Sequence, residues 1–130
     1  MIEATTFITD VLRDDRDAIR YLDLVERGNR RERISSITVL ELYEAVPQLN
    51  APEDRREAIL DVLDTRHAVV ADETVMRKAG KISGSLRASG QETDREDCIV
   101  GATALLNDEP VVTRNRDHFE RIDGLDVETY

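Results

Sequence analysis

The chain predicts an α/β fold, a three-layer α/β/α sandwich on a short parallel sheet, and three observations carry that reading. Short strand-like runs at 34–37, 68–71 and 110–113 alternate with longer stretches of helical period. Elements in that alternation stack helices on both faces of a parallel sheet. The first dozen residues turn from a short strand straight into an amphipathic helix, the opening of such a unit. A chain of 130 residues with no internal repeat and no linker reads as one domain, 1–130.

Each element has a local reason. Phe7, Ile8, Val11 and Leu12 share one helical face, as do Ala18, Leu22 and Val25 in the next helix, which Gly28-Asn29 ends. Residues 34–37 form a strand, with a helix from about Val39. Asn50-Ala51-Pro52 interrupts the pattern, and Pro52 suits a first helical position. Residues 53–66 form a helix with Ile59, Leu60 and Leu63 inward. A small buried strand follows at 68–71, then a helix from Asp72 to Arg87 with Gly90 as its stop. The helix from Asp97 to Asn107 is apolar with small residues for close packing, and 110–113 and 125–129 supply the last strands, the second at an edge.

Aromatic residues make up 4% of the chain, so Leu, Ile, Val and Ala must build the core. A net charge of −10 argues against gripping nucleic acid through a basic surface, but not against meeting phosphate through metal ions. Lysine occurs only at 78 and 81, against 28 acidic residues, a bias that fits a halophilic source whose salt screens the self-repulsion. The single cysteine, Cys98, rules out an internal disulfide and reads as a small core residue in a reducing cytoplasm. No apolar run approaches the ~20 residues of a membrane span, and no leader pattern is visible, so the expectation is a cytoplasmic protein with no membrane contact.

Ligands of open α/β sheets bind at the carboxyl ends of the strands. A metal-dependent enzyme of this build needs a carboxylate at position 4, where Ala4 offers a methyl group. Glu41 follows the second strand and would face the same crevice, yet Thr38 and Glu41 also have capping-box spacing. Asp97 belongs to an acidic helix start, 94–97, that the helix dipole favours, and Thr93 with Glu96 again matches a capping box. Asp97 also abuts the apolar run 98–102, where a charge needs a partner such as a metal ion. Asn115 can serve as a turn or cap residue or as a site residue. Arg114 and Arg116 can contact phosphate or simply solvate a loop. His67 and His118 lie far apart with no zinc-like spacing, so neither is expected to bind metal. Phosphate-cradling glycine loops are absent.

The segments T-T-F-I-T-D-V-L at 5–12, I-T-V-L-E-L at 37–42, D-C-I-V-G-A-T-A-L at 97–105 and V-T-R-N-R-D-H-F-E-R at 112–121 closely resemble the PIN-domain ribonucleases, above all the VapC-type toxins of toxin–antitoxin pairs. The resemblance spans the chain. It implies a parallel sheet flanked by helices and a Mg²⁺- or Mn²⁺-dependent endoribonuclease with RNA as substrate. It also implies a cognate antitoxin whose tail blocks the site, and a homodimer. The family's glutamate and third acid fall on Glu41 and Asp97, and its fourth position on Asn115, with Asp117 near enough to lend a substitute oxygen. The first acid, normally a metal ligand, falls on Ala4. Either Ala4 was introduced to disarm a toxin or the protein is a degenerate relative, and the intact remaining motifs favour the first.

The expectation is therefore an inactive form of a metal-dependent endoribonuclease. The alternative is a non-catalytic module that binds an antitoxin or RNA without cutting. A phospho-acceptor signalling domain fits poorly, because Lys78 and Lys81 share one helix. The helices at 5–28 and 38–66 are expected to leave a groove for an amphipathic antitoxin helix. The stripe Val75, Ala79, Ile82 and Leu86 is either a dimer seam or core.

Overall fold

The computed structural model describes residues 1–48 and 52–130. Five short strands form one sheet: β1 (Ile2–Glu3), β2 (Arg33–Ser35), β3 (His67–Val69), β4 (Val111–Val112) and β5 (Val127–Glu128). Their order is β3-β2-β1-β4-β5 and every neighbouring pair is parallel. The chain builds outward from β1 through β2 to β3, then returns to the other side of β1. The order therefore reverses between β1 and β4, which opens a crevice beyond their carboxyl ends.

Among the described residues seven α-helices flank the sheet: α1 (Thr5–Leu12), α2 (Arg16–Arg27), α3 (Ser36–Ala45), α4 (Pro52–Asp64), α5 (Glu73–Ala88), α6 (Arg95–Leu106) and α7 (Arg116–Glu120). The predicted break at Asn50-Ala51 lies outside the described residues, and Pro52 opens α4 as expected. One core, around Phe7, Ile8, Ala18, Val25, Ile34, Leu42 and Ile59, joins the sheet to α1–α4. The other, around Ile2, Val75, Ala79, Leu86, Cys98, Val100 and Phe119, joins it to α5–α7. The predicted sandwich is thus observed.

Helix α6 shows why the fold needs small residues. Cys98 through Ala104 are all buried, so this stretch of the helix is enclosed on every side, and Thr103, the polar residue in it, turns its hydroxyl back to the Ile99 carbonyl. A Cβ on Gly101 would sit 2.6 Å from Ile122 Cδ1, so glycine lets the segment after α7 close against it. The stripe Val75, Ala79 and Leu86 is buried against α6, with Ile82 partly so; it is core and not a seam.

Four local expectations need correction. α3 begins at Ser36 rather than near Val39, because Ser35 at the end of β2 caps it: its hydroxyl accepts the Ile37 amide at 3.3 Å. Thr38 is consequently buried inside the helix and is no cap. Leu60 points outward, since α4 turns Ile59, with Val62 and Leu63, to the core. The strand expected at 68–71 stops at Val69. There the Ser36 hydroxyl takes the Ala71 amide at 2.9 Å, and Val70 is left 69% exposed. β3 itself is an edge strand, only partly buried. Ser35→Ala is expected to cost about 1 kcal/mol in urea denaturation through loss of the cap. A loss below ~0.3 kcal/mol would show that the cap is not what starts α3 there.

Candidate active site

Ala4 ends β1 in extended backbone, and its carbonyl accepts the amides of Phe7 and Ile8 in the first turn of α1. The side chain at position 4 is therefore fixed at the carboxyl end of the central strand. It is buried, and it forms part of a cleft of about 310 Å³ whose other walls include Thr5, Glu41, Asp94, Asp97 and Asn115. β1, α1, α3, α6 and the β4–α7 turn each contribute, so the cleft is the crevice that the strand order predicts.

Glu41 extends from the second turn of α3. The Thr5 hydroxyl donates to its Oε1 at 2.7 Å, and no cap competes for the carboxylate because Ser35 has that role. Asp97 projects from the first turn of α6, and its Oδ2 lies 3.1 Å from His118 Nδ1. The expected Thr93–Glu96 box is absent: Asp94 occupies the cap position and makes no side-chain cap bond. Burial pushes both carboxyls up from their ordinary values. For Glu41 the Thr5 bond opposes this and neighbouring Asp97, Glu96 and Glu44 add to it; for Asp97 the His118 contact opposes it. Half-buried acids that repel one another are poised for a cation.

Asn115 sits at the cap position of α7, but its side chain makes no cap bond and lines the cleft. Its amide donates to the Thr113 hydroxyl at 3.0 Å, and Thr113 in turn contacts Thr6 across the cleft floor at 3.2 Å. Asp117 is exposed on α7 and is not part of the cleft wall. Arg116 pairs with Glu120 along α7 and also stands outside. Arg114 does line the cleft, but it is clamped: Nε bonds Asp10 and Nη2 bonds Asp15, each at 2.8 Å, while its guanidinium covers the Tyr130 ring at 4.7 Å. Asp94 and His118 were not foreseen as site residues. Spacing along the chain gave no sign that His118 would meet Asp97, a contact made between α6 and α7.

The sequence pattern of the PIN domain matches residues 2–125. The chain belongs to the PIN-domain family. A curated relative, the ribonuclease VapC1 of Methanocaldococcus jannaschii, is 28% identical over 100 residues, 76% of this chain and 70% of that protein. The fold is also that of VapBC2 from Rickettsia felis bound to a promoter DNA fragment, at 21% identity and a TM-score of 0.88, over 99% of this chain and 97% of that one. DNA-bound VapBC from Salmonella typhimurium matches at 24% identity and 0.88, over 98% and 96%. FitAcB from Neisseria gonorrhoeae matches at 25% identity and 0.81, over 97% and 94%. Within this PIN domain the donor set suits a divalent ion, since Glu41, Asp94 and Asp97 offer hard carboxylate oxygens to one cleft. The gap is at the innermost wall, where Ala4 provides none.

Proposed function

We propose that this chain is a disarmed form of a Mg²⁺- or Mn²⁺-dependent endoribonuclease, the toxin of a toxin–antitoxin pair, with its cutting centre interrupted at Ala4. The observation that supports this most is the buried methyl group at the carboxyl end of β1, on the wall of a cleft where Asp10, Glu41, Asp94 and Asp97 outnumber Arg13 and Arg114. Glu41 and Asp97 would hold the ion, and Asn115 would orient the scissile phosphate or its attacking water. Thr5 keeps Glu41 turned into the cleft. When bound, a divalent ion supplies a water of lowered pKa and charge stabilisation for the leaving oxygen. Arg114, already neutralised by Asp10 and Asp15, gives the rim shape more than net charge. Arg116, paired with Glu120, and the exposed Asp117 are not among the residues that line the cleft, so neither is given a part in holding the ion.

The partner proposed is an antitoxin, in keeping with the toxin–antitoxin complexes among the structures of the same fold. Thr9, Leu12, Arg13, Leu42, Ala45, Arg55 and Ile59 line a small hollow of about 50 Å³ between α1, α3 and α4, room for a side chain of a docked helix. Leu40 and Tyr43 are exposed on one face of α3, as is Leu60 on α4. An amphipathic helix fits such a surface. The homodimer stays a proposal for which the 75–86 stripe, being core, supplies no seam. Among the described residues no helix is long and apolar enough to cross a membrane.

Thermal melts test the metal reading without RNA. In EDTA, Ala4→Asp is expected to melt lower than this chain, because a third buried acid joins Glu41 and Asp97. Added Mg²⁺ should raise the melting temperature of Ala4→Asp and leave that of this chain nearly unchanged, since a ligand stabilises only the state it binds. Equal Mg²⁺ shifts in both would contradict the proposed role of position 4.

A further inference from the structure

We propose, resting on the endoribonuclease function above, that Arg13 is the substrate-binding cation of the cleft, the side chain that meets an RNA phosphate beside the cutting centre. Two cations line the cleft, Arg13 and Arg114, against the acids Asp10, Glu41, Asp94 and Asp97. An RNA strand brings one negative charge per phosphate to that acidic wall, and its affinity depends on the cations that neutralise those charges. A guanidinium suits the task, since its fork of donors matches two phosphate oxygens at once. The two arginines differ in whether they are available.

Arg114 is already committed. Asp10 and Asp15 each hold it at 2.8 Å, and its guanidinium lies 4.7 Å over the Tyr130 ring. To reach it, a phosphate would have to displace two charge-assisted hydrogen bonds, the strong kind. Arg13 is different: it is exposed, and among the described residues its side chain makes no ion pair and no hydrogen bond. Its backbone is nevertheless pinned. At the end of α1 its amide donates to the Thr9 and Asp10 carbonyls at 3.0 and 3.2 Å, and Asp14 then turns the chain with a φ of 57°. A fixed backbone carrying an uncommitted guanidinium on the cleft wall is the arrangement a phosphate contact needs. The dipole of α1 favours a cation at this end, but it asks for no place on the cleft.

Arg13 also borders the hollow between α1, α3 and α4, so a docked protein helix is the rival occupant. Two observations favour RNA. The acids are on the cleft side and none lines the hollow, so it is in the cleft that an anionic strand needs a cation. The hollow also has a second cation, Arg55, whose Nη1 donates to the Leu12 carbonyl at 3.3 Å. Its volume of about 50 Å³, against about 310 Å³ for the cleft, leaves the larger space on the side where a nucleotide would lie.

The unmodified chain is itself the reagent, because it should hold RNA without cutting it. A labelled single-stranded RNA is titrated in Mg²⁺ by fluorescence anisotropy, across the salt range in which circular dichroism shows the fold intact. Arg13→Gln should weaken binding about tenfold at the lowest salt. It should also make the slope of log affinity against log salt shallower by about 0.7, the loss of one phosphate contact on a single strand. Arg13→Lys keeps the charge and should keep the slope. Arg116→Gln, at an exposed residue that pairs with Glu120 outside the cleft, should change neither. An unchanged slope in folded Arg13→Gln, with RNA still bound, would overturn the assignment alone and leave Arg13 to a protein partner. An equal change in Arg116→Gln would overturn it as a general effect of charge. No saturable binding of RNA by the unmodified chain would overturn the endoribonuclease function and the role of Arg13 with it.

Discussion

Arg66→Ala is expected to cost roughly 3–5 kcal/mol at pH 8, the usual loss when one member of a buried ion pair is removed. Glu3 is fully buried in β1, and Arg66, itself 6% exposed, meets it with Nε at 2.5 Å while also bonding Glu32 at 3.0 Å. Burial pushes the Glu3 carboxyl up to about 7, against the pull of Arg66. The folded protein then holds this proton more tightly than the unfolded chain, whose carboxyl titrates near 4.5. Stability from this group is accordingly greatest below that value and falls as pH rises toward 7. The cost of Arg66→Ala should follow the same sign, clearly smaller at pH 5, where Glu3 is protonated, than at pH 8. Urea denaturation at the two pH values reads this directly. A loss below about 1 kcal/mol at pH 8 would show that the pair does not hold the sheet.

The largest functional effect is expected from Ala4→Asp. A bound divalent ion contributes several kcal/mol of charge stabilisation to an in-line attack on a phosphodiester. At 1.36 kcal/mol per decade, recovering it corresponds to roughly a 10³-fold rise in RNA cleavage. The backbone at position 4 is already fixed by the turn into α1, so the new carboxylate would join the wall of the cleft that Glu41 and Asp97 line. In that background Glu41→Gln should abolish the gain, since it removes the charge that Thr5 orients.

Much of this was legible along the chain because it depends on short-range pattern. The alternation of strands and helices, the Gly28 stop of α2, the apolar run inside α6 and the edge position of β5 follow from period and composition. Glu41, Asp97 and Asn115 stood out as acids or amides at strand ends, but each had a rival capping role that spacing could not decide. The fold removes the capping roles, since Ser35 caps α3, Asp94 takes the cap position of α6 and Asn115 makes no cap bond, but it leaves Asp97 in the first turn of α6, where the helix dipole favours an acid. Long-range pairing was out of reach. Nothing local marks Glu3 for Arg66, Arg114 for Asp10 and Asp15, or His118 for Asp97. Apolar residues such as Leu60 and Val70 misled because period alone does not say where an edge leaves a side chain uncovered.

The most direct measurement is cleavage of a structured RNA by this chain and by Ala4→Asp, side by side in Mg²⁺ at high salt, with EDTA as control. Only the aspartate form is expected to cut, and EDTA should stop it. Cleavage by this chain at a comparable Mg²⁺-dependent rate, or none by a folded Ala4→Asp protein that binds Mg²⁺, would contradict that expectation and favour a module that binds without cutting.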